Sequence, residues 1–216
     1  MWRRVLDYRQ PSKRSNATKA YSPTCCKCDV EGCGDDCVCR AVKTECVDCP
    51  AGRGVCDYQQ IRRFRRNESK AVQWEIKDTG NPRIGRGMFI TRAVRPAELV
   101  VVFRGSWKPR SETPKVAVSP CSTWFAPAYC LVQEILKISH EQKELEPTND
   151  ARFVNSSCAP SCYAEIWKVD GQDYAGIFAG PLGLKKGQEV TFDYSRGQAR
   201  TTMRCRCGYV NCRKLI

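Results

Sequence analysis

The chain has 216 residues, 16 of them cysteine, and a formal net charge of +13. No apolar run approaches the roughly 18–20 residues that a membrane-spanning helix needs, and the N-terminus does not resemble a signal peptide. We therefore expect a soluble intracellular protein with no membrane partner, in which reduced cysteines bind metal rather than form disulfides.

The positive charge is concentrated in three segments. Residues 1–24 hold six Arg or Lys against one Asp, residues 62–66 read Arg-Arg-Phe-Arg-Arg, and six basic residues but no acidic ones follow Asp193. Such segments attract a polyanion because each contact with a phosphate releases counterions. The distribution predicts non-specific contact with DNA, and general solubility is the alternative interpretation.

The N-terminal part of the chain divides into an arm and a cysteine-rich segment. Residues 1–24 are polar with little periodicity, which predicts a basic arm. Residues 25–56 contain nine cysteines and few large apolar side chains. Such a segment cannot bury enough hydrocarbon to offset its conformational entropy, so we expect it to fold only around metal.

Seven of these nine cysteines are the main candidate zinc ligands, because structural zinc prefers four tetrahedral thiolates. They are Cys26, Cys28, Cys33, Cys37, Cys46, Cys49 and Cys56. Seven thiolates cannot fill two separate sites of four unless two zinc ions share one thiolate. Cys25 and Cys39 are surplus, and either could replace a neighbour.

From about residue 70 the sequence consists of short apolar runs separated by turn residues, which predicts a mainly β fold with short helices. A segment that begins near Tyr129 fits a helical face, although its first half would also serve as a strand. The predicted strands are residues 99–103, 163–167, 175–178 and 187–192, with a hairpin turn at Asp170-Gly171 between the second and the third.

The C-terminus carries a second cysteine cluster. Cys205, Cys207 and Cys212 supply three thiolates, and Gly208 suits the tight backbone turn that such sites use. A closed structural zinc site needs a fourth ligand. The candidates elsewhere in the chain are Cys121, Cys130, Cys158 and Cys162.

Three phrases have to be read together with this C-terminal cluster. They are Ile-Gly-Arg-Gly-Met-Phe at residues 84–89, Arg-Phe-Val-Asn-Ser-Ser-Cys-Ala-Pro-Ser-Cys at 152–162, and Glu-Val-Thr-Phe-Asp-Tyr at 189–194. In this order they resemble the SET-domain protein lysine methyltransferases. The N-terminal cysteines resemble the AWS (associated-with-SET) zinc module, and the C-terminal cysteines resemble the post-SET motif.

The resemblance implies a SET-domain fold of small sheets around a pseudoknot, flanked by zinc-bound AWS and post-SET modules. The implied domains are a basic arm at residues 1–24, an AWS-like module at 25–69, a SET domain at 70–195 with an insert at 106–150, and a post-SET motif at 196–216.

The resemblance also implies three zinc ions. Those ligand sets are Cys26, Cys28, Cys33 and Cys37 for the first zinc, Cys33, Cys46, Cys49 and Cys56 for the second, and Cys158, Cys205, Cys207 and Cys212 for the third. Cys33 would be shared by the first two ions. We expect packing roles for the remaining cysteines, which are Cys25, Cys39, Cys121, Cys130 and Cys162.

S-adenosylmethionine is the cofactor that the resemblance implies. Ile84, Gly85 and Arg86 would line it through backbone groups. Asn155 and Ser156 would contact its amino-acid and adenine parts.

The resemblance assigns the reaction to aromatic residues. Tyr194 matches the family's active-site tyrosine, and Phe192 matches the position that tunes how many methyl groups are added. An aromatic residue of the insert, Trp124 or Tyr129, should also line the pocket, and spacing does not choose between them.

The implied function is that of a nuclear histone lysine methyltransferase acting on histone H3 in nucleosomes, with lysine 36 as the first site to test. The chain departs from the family at Ser156, where His is usual, and in the poorly matching insert at residues 106–150. These departures support an alternative from another class, a catalytically weak SET-like module that binds chromatin or peptide.

Overall fold

The computed structural model describes residues 37–46, 59–66, 72–103, 105–109, 143–147, 149–194 and 204–215. Short strands dominate these ranges, so the expected mainly β fold with few short helices is confirmed. None of their helices is long and apolar enough to cross a membrane. In chain order the elements are α1 (Val38–Ala41), α2 (Gln60–Arg65), β1 (Trp74–Asp78), β2 (Arg86–Ile90), β3 (Leu99–Val102), β4 (Gly105–Pro109), β5 (Lys143–Pro147), a 3-10 helix (Asp150–Phe153), β6 (Asn155–Ser156), β7 (Cys162–Val169), β8 (Gln172–Ala179) and β9 (Thr191–Phe192).

The strands form four small sheets within the described residues. β1 and β2 pair antiparallel, with Trp74 opposite Ile90 and Asp78 opposite Arg86. β3, β8 and β7 form a three-stranded sheet in that order. β4 pairs antiparallel with β5, which joins the two ends of the predicted insert. β6 and β9 pair in parallel, although each has only two residues.

The chain divides into two compact units. Among the described residues, the first unit contains residues 37–46, 59–66 and 166–174, and the second contains the others. Residues 166–174 include the predicted hairpin turn, where Asp170 and Gly171 have φ angles of 51° and 78°. Positive φ at both central residues matches the right-handed twist of the flanking strands, which explains the preference for Asp-Gly here.

In the first unit, helix α2 begins on a buried carboxylate. Glu45 accepts hydrogen bonds from the backbone N–H groups of Ile61 at 2.6 Å and Arg62 at 3.0 Å. These first-turn donors have no partner inside the helix. Burial raises the pKa of Glu45 to about 7, although the hydrogen bonds from the helix lower it. The side chain of Gln59 also donates to the Cys46 carbonyl at 3.0 Å, so the chain at residues 45–46 is held against α2.

Strand β3 lies in the core of the second unit. All four of its residues are buried, and Phe103, which follows it, is also buried. The apolar run predicted as a buried strand at residues 99–103 is therefore observed. β3 pairs with β8, where a Cβ atom on Gly176 would lie 2.8 Å from the Phe178 ring and 3.0 Å from Leu99. Only glycine fits this position without a shift of its neighbours.

The strand predicted at residues 187–192 is shorter in the structure, where only Thr191 and Phe192 form β9. The preceding residues follow β2 instead: Ile90 N–H donates to the Gln188 carbonyl at 3.0 Å, and Val190 N–H donates to the Met88 carbonyl at 2.8 Å. The segment changes partner from β2 to β6 after residue 190, which interrupts the regular ladder. The predicted arm at residues 1–24 and the ambiguous segment near Tyr129 lie outside the described residues.

Candidate functional site

The parallel pairing of β6 with β9 brings two predicted site segments together. Asn155 lies opposite Thr191, and Ser156 lies opposite Phe192. Ser157 N–H donates to the Phe192 carbonyl at 3.2 Å and extends the contact by one residue. Residues expected to contact the cofactor therefore lie beside the residue expected to tune the reaction.

Ser161 holds these segments in place. Its hydroxyl donates to the Glu189 carbonyl at 2.8 Å and accepts from the Thr191 N–H at 3.0 Å. Its own N–H donates to Thr191 Oγ1 at 3.1 Å. These three hydrogen bonds fix the approach to β9 against the loop between β6 and β7. Ser161 was not a predicted site residue, and nothing in the local sequence distinguishes it from a turn serine.

Tyr194 and Phe192 form the aromatic part of the site. Their ring centroids are 4.6 Å apart, and Phe103 meets the buried Phe192 ring edge-on at 6.1 Å. The Tyr194 hydroxyl donates a hydrogen bond to the Val154 carbonyl. Burial raises the pKa of Tyr194, and the Glu189 carboxylate raises it further, so the phenol keeps its proton at neutral pH.

A polar group lies next to this aromatic wall. Asn155 Nδ2 donates to Glu189 Oε1 at 2.7 Å and to the Arg86 carbonyl at 3.2 Å. Burial raises the pKa of Glu189, while the hydrogen bond from Asn155 lowers it. A Cβ atom on Gly87 would lie 2.5 Å from Glu189 Oε1, so glycine makes room for this pair. Glu189 was not a predicted site residue, although an acidic residue within an apolar strand is an available signal.

The turn before β2 carries the three residues expected to line the cofactor. Ile84 N–H and Gly85 N–H both donate to the Asn81 carbonyl at 2.9 Å, and Gly85 adopts a φ of 80°. The Thr79 hydroxyl donates to the Gly85 carbonyl at 2.7 Å. Hydrogen bonds within the turn therefore hold its backbone. The Arg86 carbonyl, which follows the turn, accepts a hydrogen bond from Asn155.

The aromatic residues expected from the insert, Trp124 and Tyr129, lie outside the described residues. The site described so far therefore contains Asn155, Ser156, Phe192 and Tyr194, with Arg86 in contact through Asn155.

The C-terminal cysteines meet the predicted fourth thiol. The sulfur atoms of Cys158, Cys205, Cys207 and Cys212 all lie within 4.8 Å of one another. Cys158 Sγ is 3.6 Å from Cys205 Sγ and 3.8 Å from Cys212 Sγ. A tetrahedral zinc site with Zn–S bonds of about 2.3 Å separates its sulfurs by about 3.8 Å, so these four residues fit zinc.

Cys162, another candidate for the fourth position, is buried at the start of β7 and belongs to no group of described metal-binding side chains. Burial raises its pKa to about 11, although the Ser161 hydroxyl, 3.8 Å from its sulfur, lowers it. A buried neutral thiol of this kind packs as a small apolar side chain. The geometry therefore separates Cys158 from Cys162, which the spacing had left open.

The C-terminal segment is anchored on both sides of the candidate site. Arg213 forms an ion pair with Asp193 at 2.6 Å, immediately before Tyr194. Arg206 donates to the Arg83 carbonyl at 2.9 Å, next to the turn at Ile84. The four-cysteine group and the aromatic site are thus joined through short contacts as well as through residues 155–158.

A second group of sulfurs lies in the first unit. Cys37, Cys39 and Cys46 are buried, and their sulfur atoms lie within 4.8 Å of one another. The other predicted ligands of this module, Cys26, Cys28, Cys33, Cys49 and Cys56, lie outside the described residues. Cys39, for which we expected a packing role or the replacement of a neighbouring ligand, is buried next to two predicted ligands.

Comparison with known proteins identifies relatives of this chain. The model of the SET domain family matches residues 85–195, a range that includes β2, β6, β9 and Tyr194. The matched range covers the residues that form the candidate site in the structure.

Three curated relatives illustrate the similarity. The chain is 31% identical to "Histone-lysine N-methyltransferase ASHH2" of Arabidopsis thaliana, over 86% of this chain and 10% of that protein. It is 30% identical to "Histone-lysine N-methyltransferase SETD2" of Homo sapiens, over 84% and 7%. It is 32% identical to "Histone-lysine N-methyltransferase ash1" of Drosophila melanogaster, over 95% and 9%. The chain therefore spans a tenth or less of the length of these relatives.

The Gly87→Ala variant tests the close approach at the polar pair. We expect a loss of about 1–3 kcal/mol in the free energy of unfolding, because the added methyl group collides with the Glu189 carboxylate. In Gly87→Ala/Glu189→Ala the nearest of the colliding groups is gone, so the two single losses should not add. Denaturant unfolding of the wild type and the three variants measures this coupling, and strictly additive losses would contradict the contact.

The Cys158→Ser variant tests the C-terminal metal site. We expect the purified chain to contain one zinc ion fewer than the wild type, because the site loses one of its four thiolates. Cys162→Ser is the matched control, since it also removes a thiol but should leave the zinc content unchanged. Elemental analysis by mass spectrometry gives the zinc content per chain. A wild-type zinc content in Cys158→Ser would exclude it as a ligand.

Proposed function

Because the chain belongs to the SET domain family, we propose that it is an S-adenosylmethionine-dependent protein-lysine methyltransferase acting on histones. The observation that carries the proposal is that Asn155, Phe192 and Tyr194 lie together where β6 pairs with β9, inside the range that the family model matches. The names of the three relatives support a histone as the substrate.

The residues present suit this cofactor in charge and polarity. S-adenosylmethionine supplies an electrophilic methyl group on a positively charged sulfonium. The half-buried Glu189 carboxylate complements a positive charge, and the Asn155 amide and the Arg86 carbonyl next to it offer polar partners. Ile84, Gly85, Arg86, Asn155 and Ser156 are the residues that would hold the cofactor.

Transfer of a methyl group to an amine is a direct displacement. Alignment of the methyl donor with the amine can lower the activation barrier by about 7–11 kcal/mol. The lysine amine has to be neutral to act as nucleophile, although its pKa in water is about 10.4. Phe192 and Phe103 provide an apolar surface that disfavours an ammonium ion by desolvation. Tyr194 adds one neutral hydroxyl to this surface, which can orient an amine without itself becoming charged.

We propose histone H3 in nucleosomes as the substrate, with lysine 36 as the first site to test, and the nucleus as the location. The support is the resemblance of the cysteine modules at residues 25–69 and 196–216 to AWS and post-SET. The basic segments complement nucleosomal DNA. We propose that the protein binds three zinc ions, one of them at Cys158, Cys205, Cys207 and Cys212.

A second candidate function is a SET-like module that binds chromatin or peptide and has little catalytic activity. Ser156 favours it, because this residue stands where the family usually has His. In the structure the Ser156 hydroxyl lies 3.5 Å from the Tyr194 N–H, and the residue offers no ring to a cofactor. A measurement of the affinity for S-adenosylmethionine would distinguish the two functions.

Tyr194→Phe tests the methyltransferase proposal. With labelled S-adenosylmethionine and recombinant nucleosomes, we expect incorporation by the wild type and a loss of about 10²-fold or more in the variant, on the scale of a lost positioned polar group. Tyr163→Phe is the matched control, because it also removes one phenolic hydroxyl, from a tyrosine that lies in β7 and stacks on Phe178. No incorporation by the wild type would favour the binding-module alternative.

The form of the substrate provides an independent test. We expect faster methylation of nucleosomes than of free histone H3, because DNA attracts a chain of net charge +13 whereas the basic histone tail does not. The preference should diminish as the salt concentration rises, since counterion release weakens with salt. Equal rates on both substrates at low salt would argue against a role of DNA in recognition.

A further inference from the structure

The resemblance assigns no role to Glu189, although the fold holds this residue firmly at the candidate site. Glu189 lies opposite Phe89 of β2 in an antiparallel bridge, and the next residue, Val190, donates its N–H to the Met88 carbonyl at 2.8 Å. The Glu189 carbonyl accepts a hydrogen bond from the Ser161 hydroxyl at 2.8 Å. Two other segments of the second unit therefore fix the backbone that carries the carboxylate.

The Glu189 carboxylate meets the side-chain amide of Asn155. Asn155 Nδ2 donates to Glu189 Oε1 at 2.7 Å and to the Arg86 carbonyl at 3.2 Å. An amide nitrogen carries two hydrogens, so these two contacts use its full donor capacity. An ionised carboxylate and a backbone carbonyl are acceptors only, so a half-turn of the amide would place its oxygen against two other oxygens. These contacts therefore permit only one orientation of the Asn155 amide.

Of the two contacts, the one to Glu189 restrains the amide more strongly. It is the shorter, and a hydrogen bond to an ionised acceptor is roughly twice as strong as one to a neutral acceptor. Packing restricts the pair as well. A Cβ atom on Gly87 would lie 2.5 Å from Glu189 Oε1 and 3.0 Å from Asn155 Nδ2. The carboxylate and the amide thus lie against the Gly87 backbone, where neither has room to exchange places.

We propose that Glu189 is a positioning residue, which orients the Asn155 amide so that its carbonyl oxygen faces the cofactor. With both amide hydrogens engaged, Asn155 can offer a ligand only an acceptor. It therefore favours a hydrogen-bond donor, and the ammonium group in the amino-acid part of S-adenosylmethionine is such a donor. This inference rests on the proposed function, because that function makes Asn155 a cofactor residue.

A direct electrostatic role is the other explanation for a carboxylate at this place. The Glu189 charge does act on a neighbour, since it helps to raise the pKa of Tyr194. The two explanations differ in two ways. A positioning carboxylate can be replaced by an uncharged acceptor, and its effect disappears when the amide is removed. A carboxylate that attracts a cationic ligand needs its charge and does not need the amide.

The first test measures the affinity for S-adenosylhomocysteine by calorimetry, because this ligand keeps the amino-acid part and lacks the sulfonium charge. We expect Glu189→Ala to weaken binding about 10-fold, on the scale of one hydrogen bond. Glu189→Gln retains an acceptor for Asn155 Nδ2, so its affinity should stay within about 3-fold of the wild type. In an Asn155→Ala background, Glu189→Ala should cause no further loss.

Two results of this titration would overturn the proposal. One is an equal loss from Glu189→Ala with and without the Asn155 amide, and the other is a loss in Glu189→Gln as large as in Glu189→Ala. Thermal unfolding shows whether each variant is folded. Glu189→Leu, which fills the space and has no acceptor, replaces Glu189→Ala if that variant does not fold.

NMR of the ¹⁵N-labelled full chain tests the amide without any cofactor. The Asn155 side-chain signals are those that disappear in Asn155→Ala. In Glu189→Ala we expect one of the two amide protons to shift upfield, because its charge-assisted hydrogen bond is lost. Unchanged signals would overturn the proposal. If the signals shift as expected but the wild type does not bind S-adenosylhomocysteine, the orientation of the amide is supported and the proposed function fails.

Discussion

The parallel contact between β6 and β9 is the constraint on which the candidate site depends. Each strand has two residues, so the pair provides only a few backbone hydrogen bonds, each with a net value of about 0.5–1.5 kcal/mol. Such a contact between distant segments cannot persist on its own, because closing the intervening loop costs entropy. Ser161 supplies three additional hydrogen bonds, and Cys158, two residues after β6, belongs to the four-cysteine group. The site is therefore positioned by its surroundings rather than by its own strands.

The electrostatics of the site also depend on how the segment that contains β9 pairs with its neighbours. Glu189 lies beside β2, opposite Phe89, because its segment pairs with β2 before it joins β6. Gly87 leaves the space that the carboxylate occupies. Burial raises the pKa of both Glu189 and Tyr194, and the negative charge of Glu189 adds to the effect on Tyr194. A buried carboxylate is costly unless it is paired or hydrogen-bonded. Asn155 offsets part of this cost, and a cationic ligand would offset more, which agrees with the cofactor proposed for this site.

Local signals in the sequence predicted the parts of the fold that depend on local physics. The uninterrupted apolar run of β3 predicted a buried strand. Asp170-Gly171 predicted the hairpin turn, because these residue types tolerate the positive φ that both adopt in the structure. The length of β9 could not be predicted, since the exchange of partners after residue 190 is a tertiary event. Glu189 and Ser161 were missed for the same reason: their roles come from segments far away in the chain. Family resemblance, not spacing, selected Cys158 from four candidates, and the structure places it beside the C-terminal cysteines.

The four-cysteine group and the aromatic site are parts of one arrangement. Cys158 follows Asn155 by three residues, and Arg213, next to Cys212, pairs with Asp193, next to Tyr194. Displacement of the C-terminal segment would thus disturb both strands of the β6–β9 pair at once. Zinc binding to four thiolates provides about 10–16 kcal/mol in isolated zinc modules, far more than the few hydrogen bonds of a two-residue pair. A zinc ion held by these four cysteines would stabilise the segments that carry Asn155 and Tyr194.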